Sequence, residues 1–84
     1  MPTDEKRLKN EKEFQYWEDI GDQGRRYWFE ITGRYGWKAR YVKEVNEKEE
    51  TVSFYQEIYN DKNELVETHH KYPVDTGHVK NIRK

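Results

Sequence analysis

Between Trp37 and Val45 the side chains alternate in character. The odd positions are Trp37, Ala39, Tyr41, Lys43 and Val45, and the even ones are Lys38, Arg40, Val42 and Glu44. A β-strand points successive side chains to opposite faces, so it turns this order into one largely apolar and one largely polar surface. Residues 25–33 hold Tyr27, Trp28, Phe29, Ile31 and Thr32, the aromatic and β-branched types that strands favour, and residues 51–59 and 64–71 read as two further strands. The connections are Gly33-Arg34-Tyr35-Gly36, Asn46-Glu47-Lys48-Glu49-Glu50 and Asn60-Asp61-Lys62-Asn63. Glycine accepts positive φ, and Asn and Asp bond their own backbone, so all three are turn sequences. Short polar turns between consecutive strands specify an antiparallel meander. The expected fold is therefore mainly β, a single small antiparallel meander sheet of four to five strands.

The segment before residue 25 has two readings. Phe14, Tyr16 and Ile20 fit a strand closed by a Gly21-Asp22-Gln23-Gly24 hairpin, whereas Phe14, Trp17 and Ile20 fit a helix capped by Asp4. The four-residue connection is typical of hairpins and favours the strand. Residues 1–12 then form a flexible or short-helical N-terminal arm, and residues 13–84 form one β-rich domain. The expected core comprises Phe29, Ile31, Ala39, Tyr41, Phe54, Ile58, Leu65 and Val66, with Trp17 or Trp37 closing one end. If these faces make the core, Trp28, Tyr55 and Tyr59 form an exposed aromatic patch, of the kind that marks interfaces.

A chain with 32% hydrophobic and 39% charged residues sits near the composition of disordered segments. Three Trp, seven Tyr and three Phe argue the other way, since each ring can bury ~150–250 Å². With no cysteine, disulfides and thiolate metal sites are excluded. No run approaches the ~20 apolar residues that span a membrane, and no signal-peptide pattern is present, so the cytoplasm is the expected compartment and a membrane partner is not expected.

Charge is segregated along the chain. Residues 25–43 carry six basic groups against Glu30 alone, whereas residues 44–67 carry two basic and eight acidic groups. Arg25, Arg26, Arg34, Lys38 and Arg40 interleave with Tyr27, Trp28, Tyr35 and Trp37, the arrangement by which single-stranded nucleic acid is held. Of these, Arg34, Trp37, Lys38 and Arg40 are the candidate RNA-binding residues. The alternative is that the rings serve the core and the cations pair across strands with Glu57, Glu64 and Glu67. A thin meander also leaves a face and two edges for a protein partner or a second copy of the chain, so a homodimer is a further expectation.

All three histidines, His69, His70 and His78, fall within ten residues that also hold Lys71, Tyr72, Asp75 and Thr76. Metal-independent ribonucleases need a base for the 2′-OH, an acid for the leaving oxygen and a cation for the developing charge. His70, His78, Lys71 and Tyr72 are the residue types for those roles and form the candidate catalytic set. As a metal site the cluster is weaker. His69 and His70 point to opposite faces of a strand, and the spacing follows no metal motif, so no metal or cofactor is expected. The plainer reading is structural: Tyr72-Pro73 ends a strand and Asp75-Thr76-Gly77 makes an Asx-type turn.

From Phe54 to His78 the order is strand, Asn-Asp-Lys-Asn turn, strand and His-rich end. This third of the chain resembles the TumE-like toxins of bacterial and archaeal toxin–antitoxin pairs, with their antiparallel sheet and terminal His-rich segment. The resemblance implies a toxin-like ribonuclease acting through the His69–His78 segment. Here residues 72–77 intervene in that segment, unlike the toxins, which are also longer. The Lys-Tyr-Pro-Val-Asp-Thr-Gly-His ending is similar to that of small prokaryotic domains to which no activity attaches. Beside the nuclease stand two other expectations: a small binding module for protein or RNA, and a purely structural or homodimeric domain.

Overall fold

The computed structural model describes residues 2–74 and 77–80. Helix α1 (Pro2–Glu13) precedes strands β1 (Tyr16–Ile20), β2 (Gly24–Thr32), β3 (Lys38–Val45), β4 (Thr51–Tyr59), β5 (Leu65–Tyr72) and β6 (Gly77–Lys80). All strands lie in one sheet in sequence order, each antiparallel to the next. The expected meander is present and, among the described residues, runs to six strands, since β6 continues it beyond the Tyr72-Pro73 strand end. Asp75 and Thr76, read as part of a turn there, lie outside the described residues.

The N-terminal segment divides between the two forms considered for it. Residues 5–13 are, apart from Asn10, the good helix formers Glu, Lys, Arg and Leu, and Pro2 at the start, Asp4 and Glu5 in the first turn and Lys12 in the last suit a helix and its dipole. Asp4 therefore sits inside the helix rather than capping it. The helix stops short of Phe14, and Tyr16 to Ile20 pair with β2 as the hairpin requires. Asp22 and Gln23 both take positive φ, and the Gly24 amide bonds the Gly21 carbonyl at 3.2 Å. Gly24 itself tolerates no larger residue without movement, because a Cβ there would stand 2.7 Å from the Val45 carbonyl oxygen.

The β3–β4 and β4–β5 turns are one device used twice. Asn46 Oδ1 accepts from the amides of Lys48 and Glu50 at 2.9 and 3.0 Å, and Asn60 Oδ1 accepts from those of Lys62 and Glu64 at the same distances. The fourth residue of each turn, Glu49 or Asn63, is left-handed, with φ of 60° and 64°. Asparagine tolerates that region, whereas an ordinary side chain there costs ~1–2 kcal/mol. Glu49 is held by what its carboxylate does. It is buried, and it receives Tyr27 Oη at 2.8 Å, Asn10 Nδ2 at 3.0 Å and Arg7 Nε at 3.1 Å.

That carboxylate ties α1 onto one face of the sheet, with Arg25 adding a bond to Glu11 at 2.8 Å and Lys43 one to Asn10 at 2.9 Å. Phe14, just past the helix, packs on Tyr27 and Phe29 with ring centroids 5.8 and 5.5 Å apart. Phe14, Tyr27 and Val45 form the buried cluster, and Phe29 and Phe54 pack against it.

Phe29, Tyr41 and Phe54 thus lie on the covered face as expected, but none of the eight expected core residues is fully buried. Phe29 and Phe54 pack against the cluster, Ala39, Tyr41, Ile58 and Val66 are half-buried, and Ile31 and Leu65 are exposed. Ile31 is 52% exposed because α1 and Phe14 cover only the end of the face that holds Tyr27, and Leu65, which pairs with Tyr59 past an irregularity in the ladder, is 37% exposed. Trp17 and Trp37 are also exposed, while Tyr27, Val42 and Val45 are the most deeply buried side chains. The result is elongated, 46 × 23 × 20 Å.

Candidate functional site

No described element packs on the second face of the sheet. The register aligns Tyr16, Trp28, Val42, Tyr55 and His70 in one row across five strands. Tyr16 stacks on Trp28 with centroids 5.7 Å apart, and Tyr55 lies 5.2 Å from His70. Val42 forms the floor at 2% exposure, beneath a cleft of about 460 Å³ lined by Trp28, Tyr55, Tyr59, Arg26 and Arg40 among others. Trp28, Tyr55 and Tyr59, expected from the sequence to form an exposed patch, share this face and line the cleft but are half-buried rather than exposed.

Two ladders of charge flank the row. On one side Arg26 lies between Glu18 at 2.7 Å and Glu44 at 2.9 Å, and Tyr55 Oη donates to the same Glu44 at 3.0 Å. On the other side Arg40 donates twice to Glu30, at 2.9 and 2.7 Å, while its guanidinium lies 5.2 Å from the Tyr59 ring centroid. Tyr59 Oη in turn donates to Glu57 at 3.0 Å. Hydrogen bonds from Arg40 hold the Glu30 carboxyl below the usual glutamate range. Burial, reinforced by Glu44, pushes the Tyr55 hydroxyl well above the ordinary tyrosine value.

The four candidate RNA-binding residues do not converge. Lys38 and Arg40 stand on the open face, and both reach Glu30, Lys38 at 3.7 Å. The register sets Arg40 opposite Glu30 on one side and Glu57 on the other, and its ion pair is with Glu30 of β2, while Glu57 accepts from Tyr59 and acts on Arg40 through its charge. Arg34 lies in a three-residue 3-10 turn, Arg34–Gly36. Trp37 lines a shallow apolar hollow of about 200 Å³ with Ile31, Ala39 and Ile58, on the covered face beyond the reach of α1.

The candidate catalytic residues also divide. His70 is on the open face against Tyr55, whereas Lys71 Nζ lies 5.2 Å from the Tyr41 centroid and 5.8 Å from that of Phe54, on the opposite face. Tyr72 pairs with Phe54 through an irregularity in the ladder and is half-exposed. The register sets His78 across from His69, and Gly77 across from His70. Among residues 4–74, whose side chains are described, no three His, Asp or Glu residues gather as a metal would need.

Tyr16, Val42 and Glu44 belong to the open-face constellation and were not singled out as functional from the sequence, and Arg26, one of the cations interleaved with rings, joins them there. The signal for most of them is a repeated pattern, Arg26-x-Trp28-x-Glu30 and Arg40-x-Val42-x-Glu44, which puts cation, apolar group and anion on one face of two adjacent strands. No described helix is long and apolar enough to cross a membrane. Comparison with protein-family models, with characterised proteins and with solved structures finds no match.

Proposed function

We propose that this chain is a small cytoplasmic protein-binding module whose binding surface is the open sheet face centred on Trp28, Val42 and Tyr55. The observation that carries this reading is the charge balance of that face. Arg26, Lys38 and Arg40 are set against Glu18, Glu30, Glu44 and Glu57, and each of the three cations lies within salt-bridge distance of a carboxylate. Binding to a nucleic-acid backbone draws its affinity from cations that neutralise phosphates, and a slightly acidic face offers no such surplus. An aromatic centre ringed by paired charges suits a protein partner, whose contacts combine buried rings with a polar rim.

The ribonuclease reading draws less from the same geometry. His70 and Lys71 occupy opposite faces, and His78 stands across from His69. A general acid, a general base and a cation must converge on one phosphate.

Amide NMR of the full chain, titrated with mixed-sequence single-stranded RNA to near-millimolar concentration, tests the choice. Resonances of Trp28, Val42 and Tyr55 are expected to stay fixed. Saturable shifts confined to those residues and His70 would overturn the protein reading in favour of RNA, and cleavage lost in His70→Ala would restore the nuclease.

A further inference from the structure

We infer that the occupant of the open face is a second copy of this chain, packed sheet on sheet about a twofold axis that runs along the Tyr16–Trp28–Val42–Tyr55 row. The inference rests on the protein-binding reading above and names its partner.

Charge complementarity selects both the partner and the axis. A strand reading Arg-x-apolar-x-Glu on one face is complementary to itself when laid antiparallel, because its cation meets the anion of its twin. β2 and β3 both carry that pattern, as Arg26-Trp28-Glu30 and Arg40-Val42-Glu44. The register aligns Trp28 with Val42, so one axis serves both strands. A twofold axis in the plane between two sheets, along the row, lays β2 over its twin and β3 over its twin, each antiparallel. Arg26 then faces Glu30 of the second copy and Glu44 faces its Arg40, each contact occurring twice by symmetry. An axis parallel to β3 would instead set Arg40 on Arg40 and Glu44 on Glu44, which like-charge repulsion disfavours.

Surface area supports the same conclusion. The chain exposes 6276 Å², whereas surface-to-mass scaling gives about 5,400 Å² for a folded monomer of its 10.4 kDa. The excess is comparable to the ~800 Å² that each partner contributes to a standard interface. Facing sheets pack ~10 Å apart, and on this axis Trp28 meets Trp28 and Tyr55 meets Tyr55 of the second copy on either side of Val42, which also meets its twin. The hollow on the other face, lined by Ile31, Trp37 and Ile58, is smaller at about 200 Å³, and Lys38 is the one charged residue that lines it, so it lacks a frame of opposite charges.

Sedimentation of the full chain from about 1 µM to 1 mM should show conversion to twice the chain mass. Arg40→Glu and Glu44→Arg should each shift the dissociation constant upward at least tenfold, since each creates two like-charge contacts across the interface. An equimolar mixture of the two variants should recover dimer, because Glu at 40 then faces Arg at 44. Trp28→Arg should abolish the dimer, while Ile31→Arg, on the other face, should leave it intact. Far-UV circular dichroism checks that each variant is folded, and wild type with Trp28→Arg and Ile31→Arg decides the matter if a charge variant is not. A wild type that stays monomeric throughout overturns the second-copy inference while leaving the face to a different protein. A dimer broken by Ile31→Arg and not by Trp28→Arg overturns the inference and the open-face reading together.

Discussion

Tyr27 and Glu49, twenty-two residues apart, meet through a 2.8 Å hydrogen bond in which the phenol donates to a fully buried side-chain carboxylate. This contact joins the centre of the sheet to the β3–β4 turn, and through Asn10 and Arg7 to the N-terminal helix. Replacing Glu49 by Ala leaves the buried Asn10 amide and Tyr27 hydroxyl without their acceptor. Unsatisfied buried donors cost ~1–3 kcal/mol each. Urea denaturation of Glu49→Ala should therefore show a loss of about 2–4 kcal/mol, with helical circular dichroism lost along with it. Retention of full stability would mean that α1 is not anchored through this carboxylate.

Tyr27 carries the corresponding pH dependence. Burial and the neighbouring Glu49 push its hydroxyl up to about 12, because an anionic phenolate would sit dry beside a carboxylate. A folded value above the unfolded one near 10 favours the neutral form, so its stabilisation is complete below pH 10 and lost as pH rises toward 12. Tyr27→Phe should lose about 1–2 kcal/mol at neutral pH through the missing hydrogen bond. It should also show a shallower alkaline decline than wild type in denaturation curves taken between pH 9 and 12.

The paired turns give a prediction with an internal control. Asn46→Ala and Asn60→Ala each remove an oxygen that accepts two backbone amides, and each should cost about 1 kcal/mol by chemical denaturation. The left-handed fourth positions should part company. Asn63→Gly should be close to neutral, since Gly relieves backbone strain and Asn63 has no buried charge to lose. Glu49→Gly should destabilise despite the same relief, because the buried carboxylate goes with it.

Strand positions and turns were legible because they rest on local chemistry: period-two alternation, Gly at tight corners and Asn where the chain reverses. The buried set was less so. Ile31 and Phe29 lie two residues apart on one face and look equivalent in sequence, yet only Phe29 lies under the reach of Phe14. How far a helix of mostly charged residues extends over a sheet is set by the Glu49 contacts, which link residues some forty positions apart. The open-face rings were anticipated, but the neutralisation of Arg40 by Glu30 follows from register. Register depends on where the turn between β2 and β3 begins and ends.

On that face the Glu30–Arg40 pair makes a prediction in acid. Two hydrogen bonds from Arg40 hold the Glu30 carboxyl below its ordinary value, so the anion is favoured in the folded chain. The associated stability is present above the unfolded carboxyl value and is lost as pH falls through the lower folded one. Both side chains are about three-tenths exposed, at 27% and 32%, so solvent screening limits the pair to under ~1 kcal/mol. Carboxyl-carbon NMR titration should place the Glu30 midpoint below that of an unpaired glutamate in wild type and return it toward the ordinary range in Arg40→Ala. If the midpoint does not move when Arg40 is removed, the bonds to Arg40 are not what hold the carboxylate, and the flank of the cleft must then be ordered by Lys38, the other cation near Glu30.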